Sequence, residues 1–116
     1  MRYNNSMANY RSPEAEKLFK APEWRLIDDQ AVKISDVVVA SFNIGDVEDP
    51  DLYAAQPIYE WQETEAGRWV LEHAVEQPFW HREMDPIAWG HRYHIVARLK
   101  EPDELYWTLK WKNAQS

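Results

Sequence analysis

The stretch GHRYHIVARLKEPDELYWTLKW, residues 90–111, carries the strongest pattern in the chain. Tyr93, Ile95, Ala97 and Leu99 alternate with Arg92, His94, Val96 and Arg98. That is the period-two pattern of a half-buried strand. Pro102-Asp103 reads as a turn dipeptide. Beyond it Leu105, Trp107, Leu109 and Trp111 alternate with Tyr106, Thr108 and Lys110. The pattern predicts a C-terminal β-hairpin, apolar on one side and basic-polar on the other.

Upstream, residues 79–84 read as extended, and Asp85-Pro86 opens a turn that Gly90 closes. Residues 57–75 predict a helix of about five turns, with Ile58, Ala66, Trp69, Val70 and His73 on its apolar arc and Pro78 as its stop. The competing reading is a hairpin joining 58–63 to 68–75, with Gly67 in the left-handed position of its loop. An acid-rich start and few β-branched residues favour the helix. Asp49-Pro50-Asp51-Leu52 is an earlier helix start, a capping residue followed by proline, and Gln56-Pro57 reads as a restart. Val38, Ala40, Phe42 and Ile44 would form the apolar face of a strand over 37–44, opposite Val39, Ser41 and Asn43. Residues 23–27 and 31–34 flank an Asp28-Asp29-Gln30 turn.

These elements predict an α+β fold: a small antiparallel or mixed sheet, one main helix packed on one face, and the C-terminal hairpin. Residues 1–21 read as a peripheral N-terminal tail with a short helix opened by Ser12-Pro13, and 22–116 as a single α+β domain.

Composition narrows the function classes. The chain has no cysteine, which removes thiol catalysis, thiolate zinc sites and disulfide scaffolding. Mean hydropathy is −0.70, and no apolar run approaches the ~20 residues that span a bilayer. With no apolar region behind Arg2, no signal peptide is expected, and the expected location is cytoplasmic. Thirteen Lys and Arg against 20 Asp and Glu give a net charge of −7, which disfavours nucleic acid as a partner. Seven tryptophans in 116 residues argue against disorder and exceed what a core of this size needs.

The segments GDVEDPDLYAA (45–55), EWQETEAGRWVLEHA (60–74), GHRYHIVARL (90–99) and YWTLKW (106–111) resemble small uncharacterised accessory proteins of tailed bacteriophages. The resemblance implies a viral accessory context inside a host cell, and it carries no functional residue.

Four residue groups are candidates for a site. His81, Glu83 and Asp85 alternate, so on a strand they share a face and could chelate a divalent ion for a small metal-dependent hydrolase. Asp46, Glu48, Asp49 and Asp51 open an acidic stretch that runs to Glu65 without Lys or Arg. It serves as helix cap, as partner surface or as a nucleic-acid mimic. Arg92, His94 and Arg98, with Lys110 and Lys112 on the expected partner strand, form a basic strip. Trp61, Trp80 and Trp89 fit no apolar stripe and are candidate anchors for another protein, host or viral. Opposite charge patches also allow self-association. With no phosphate loop and no nucleophile–base motif, the leading expectation is a non-enzymatic, cofactor-free protein-binding module.

Overall fold

In the computed structural model, residues 20–85, 87 and 89–112 are described. The tail and short helix expected within 1–21 lie almost wholly outside them. The elements run β1 (Glu23–Ile27), β2 (Gln30–Ile44), α1 (Pro50–Glu63), α2 (Glu65–His73), β3 (Phe79–Asp85), β4 (Gly90–Lys100) and α3 (Glu101–Trp107), followed by a π-helical turn over Thr108–Lys112. The four strands form one antiparallel sheet in the order β1-β2-β4-β3.

The β1–β2 hairpin turns on Asp28 and Asp29, with φ of 51° and 65°. Aspartate tolerates that left-handed region better than bulky residues do, and such a pair matches the twist of the flanking strands. Sequence alternation holds along β4: Tyr93, Ile95, Ala97 and Leu99 all enter the core. In β2 a bulge between Val38 and Ala40 breaks the alternation. Val39 is buried with the core and Val38 is exposed, the reverse of simple period two. The bulge adds one residue, so Val39 and Ala40 both serve the helix-packed face.

Two helices stand where one main helix was expected. α1 starts at Pro50 and runs through Pro57 rather than restarting there. It ends at Thr64, whose extended backbone (ψ 164°) breaks the axis and whose side chain accepts the Gly67 N–H to cap α2. The hairpin alternative for this segment is excluded. Gly67 has no positive φ. It is needed because a Cβ there would fall 1.9 Å from the Trp61 carbonyl oxygen. Ala54, Ile58 and Val70 from the two helices pack with Val39, Trp80 and the β4 residues.

The expected C-terminal hairpin is replaced by α3 and the π turn, so Lys110 and Lys112 lie on no partner strand. Pro102 sits in the first turn with Glu101, Asp103 and Glu104, the signature of a helix start. Trp107 and Trp111, four apart, share a helical side as readily as a strand face. Trp107 is buried, while Leu105 and Leu109 are exposed. Trp111 and Tyr106 pack on Trp69 of α2, each with ring centroids 5.3 Å from it, and His73 stacks on Trp69 at 4.1 Å. This aromatic cluster fastens α3 to α2.

Candidate functional site

Antiparallel register sets a row of three side chains across the sheet face opposite Tyr93. Ser41 of β2 pairs with His94 of β4, and His94 pairs with His81 of β3. The imidazoles of His81 and His94 stack at 5.5 Å. Glu83, two residues along β3 from His81, shares the face and reaches diagonally to His94. The His94 Nε2–H donates to Glu83 Oε2 at 2.9 Å, and His94 Nδ1 lies 2.8 Å from Ser41 Oγ. One ligand atom each from His81, Glu83 and His94 fall within 4.8 Å of one another. The two histidines are half-buried and Glu83 is exposed. The hydrogen bond from His94 holds the Glu83 carboxyl below the usual carboxylate range.

Two of the three sequence-expected ligands, His81 and Glu83, are brought together. The third, Asp85, is engaged elsewhere. Its Oδ2 accepts from Arg92 at 3.2 Å and its Oδ1 from the Ile87 N–H at 3.0 Å. His94 takes its place, a residue that sequence reading assigned to the basic strip. His91 pairs with Met84 and Ile44 on the opposite face, and His73 Nδ1–H donates to the Trp69 carbonyl within α2.

The basic strip is not a cationic surface. Arg98 is 2% exposed and donates to Asp36 Oδ1 (2.8 Å) and Glu23 Oε1 (3.0 Å), with Glu76 at 3.8 Å. Arg92 is held by Asp85. The acidic stretch divides as well. Asp46, Glu48 and Asp49 are exposed in the loop before α1. Asp51 turns inward and accepts from Arg82 (3.1 Å) and from the Tyr93 hydroxyl (2.6 Å). Burial, then the bond to Asp51, raises the Tyr93 pKa well above its ordinary value.

The three candidate tryptophans separate. Trp80 is 3% exposed and belongs to the core, and Trp61 is half-buried and packed against that core. Trp89 is 73% exposed, with a left-handed backbone (φ 55°) whose N–H donates to the Asp85 carbonyl. Trp24 on β1, which no pattern singled out, is 67% exposed.

The β3–β4 turn meets the end of β2, since a Cβ on Gly90 would lie 2.8 Å from the Ile44 carbonyl oxygen. α1 begins at the same end, tied down by the Asp51–Arg82 pair. Exposed Leu52, Met84, Ile87 and Trp89 therefore gather around one end of the molecule. A groove of about 460 Å³ there is lined by Asp49, Pro50, Asp51, Leu52 and Arg82.

No family model, curated protein or solved structure matches the chain. Among the described residues no helix is long and apolar enough to cross a membrane.

Proposed function

We propose that this chain is a non-enzymatic protein-binding module whose contact surface is the end bearing the β3–β4 turn, with Trp89 as its anchor. The conformation of Trp89 carries the reading. A left-handed backbone costs a residue with a side chain about 1–2 kcal/mol, and folding recovers little of that through an indole that stays in solvent. Strain held at an exposed aromatic is accounted for by what the aromatic does. An exposed tryptophan at an end that also exposes Leu52, Met84 and Ile87, with an arginine in the nearby groove, has the composition of an interface hot spot. Asp46, Glu48 and Asp49 edge this surface with negative charge. The partner that fits presents an apolar pocket with a basic rim. In the phage context that the sequence resemblance implies, it is a host or viral protein.

The test compares affinity capture by the wild type, Trp89→Gly and Trp24→Ala from the cell that makes the protein. Glycine relieves the backbone strain, so Trp89→Gly is expected to melt at or slightly above the wild-type temperature. It should lose a partner that the wild type and Trp24→Ala both retain. Retention of that partner by Trp89→Gly refutes the assignment, and so does failure of the wild type to retain any protein.

A further inference from the structure

We propose that His81, Glu83 and His94 form a divalent transition-metal site, best matched to zinc, on the sheet face opposite the helices. The donor set is two imidazoles and one carboxylate, the chemistry that suits zinc and its neighbours rather than calcium or magnesium, which take oxygen donors. Three protein ligands leave the fourth tetrahedral position for water or for a donor from another molecule.

The geometry needs little adjustment. All three donors already sit within 4.8 Å of one another. At metal–ligand distances of about 2.0–2.1 Å, donors in a tetrahedral site lie roughly 3.4 Å apart. The His94–Glu83 contact at 2.9 Å must open by about half an ångström, and the outermost donor must close by somewhat more. Glu83 has room for this, because its side chain is 53% exposed and swings without disturbing the core. The two histidines are fixed by cross-strand register, on the paired strands β3 and β4. A site on paired strands keeps its donor spacing better than one on a loop.

His94 also has the outer support that metal-ligating imidazoles use. On binding, Nε2 gives up the proton it now donates to Glu83. Nδ1 then carries the hydrogen and donates to Ser41 Oγ, already at 2.8 Å. That bond fixes the tautomer and the ring plane. Repulsion from the nearest cation is moderated, since Arg92 is paired with Asp85.

The experiment takes the full chain, stripped with a chelator, and adds zinc chloride while following melting temperature and heat of binding. Magnesium chloride serves as the parallel probe. Zinc at a hundredfold excess over its Kd should raise the melting temperature by on the order of 10 °C. Magnesium should leave it in place. His94→Ala and Glu83→Gln should each abolish the zinc shift, while Asp85→Asn and His91→Ala should keep it. Ser41→Ala should weaken zinc binding by about 10–100-fold. Cobalt(II) should give the visible bands of a tetrahedral nitrogen–oxygen site, a signature independent of folding stability. A chain that zinc neither stabilises nor heats overturns the proposal. So does a zinc shift that survives both His94→Ala and Glu83→Gln.

Discussion

Replacing Arg98 with methionine removes a guanidinium that is only 2% exposed and leaves three carboxylates facing the gap. Methionine keeps most of the side-chain volume, so the cost arises from charge rather than from a cavity. Breaking a fully buried ion pair on one side costs about 3–5 kcal/mol, because the remaining charge is stranded. Here the three carboxylates differ. Glu23 and Glu76 are 39% and 44% exposed and rehydrate when the cation goes, whereas Asp36 is 12% exposed and cannot. Asp36 also keeps its bond from the Lys20 backbone N–H at 3.0 Å. The lower end of the range therefore applies, about 3 kcal/mol, or roughly 10 °C in melting temperature for a chain of this size. Changing Asp36 to asparagine in the same chain removes the stranded charge, and the double variant should recover at least about 1 kcal/mol relative to Arg98→Met alone. The acid side gives a second readout. A hydrogen bond from Arg25, with the charges of Arg25 and Arg98 adding, holds the Glu23 carboxyl below its ordinary value. A carboxyl lowered in the folded state contributes stability above its unfolded pKa, and that stability is lost as pH falls through the folded value. The gap between wild type and Arg98→Met should therefore narrow as pH drops below about 4. Urea melts of the three variants at pH 7 and at mildly acid pH measure all of this. A cost under about 1 kcal/mol for Arg98→Met, or a double variant less stable than the single, refutes the reasoning.

Three further substitutions probe how the helices are joined. Gly67→Ala places a Cβ against the Trp61 carbonyl with no side chain to swing aside. It should cost about 2–3 kcal/mol by urea melts with an unchanged slope. Trp107→Ala should cost about 3–5 kcal/mol. Trp111→Ala should cost less than half of that, since Trp111 is only half-buried against Trp69. Equal losses at 107 and 111 would show that the C-terminal turn is packed more deeply than this arrangement has it.

Strand β4 was legible because the residues it turns toward the helices keep strict alternation from Tyr93 to Leu99, although Val96 on the other face is buried as well, against Phe79. The same rule misled at the next element. Leu105, Trp107, Leu109 and Trp111 also alternate, but period two and period 3.6 nearly coincide at a spacing of four. What separates them is the flanking chemistry. Proline in the first turn with three acids around it begins a helix, and a turn dipeptide shares those letters. The bulge at Val39 was hidden for a different reason. It exchanges the facing of Val38 and Val39, and among three consecutive valines sequence offers no mark of which one is extra. Local pattern gives Gly67 a role only in the competing hairpin, as its loop residue, and none in the favoured helix. Its role is a close approach to Trp61, a contact between two helices that local pattern cannot express.

The histidine site marks where local reading stops. His81 and Glu83 were found because a strand puts residues two apart on one face, a relation contained within a single element. Asp85 satisfied the same relation and was included with them, yet the turn it begins gives both its carboxylate oxygens other partners. His94 lies thirteen residues from His81, and its place beside it depends on the β3–β4 register. The turn closes in the same register. With Asp85 paired to Gly90, every later pair is fixed, and His81 must face His94. Shifting β4 by one residue would put Tyr93 or Ile95 opposite His81 and send Tyr93, Ile95, Ala97 and Leu99 together to the other face. The packing that demands Tyr93, Ile95, Ala97 and Leu99 inside therefore also assembles the imidazole pair outside. A variant that lengthens the β3–β4 turn by one residue tests this coupling directly. If the core holds β4 in register, the extra residue is absorbed in the turn and zinc binding survives. If the turn sets the register, stability and zinc binding fall together.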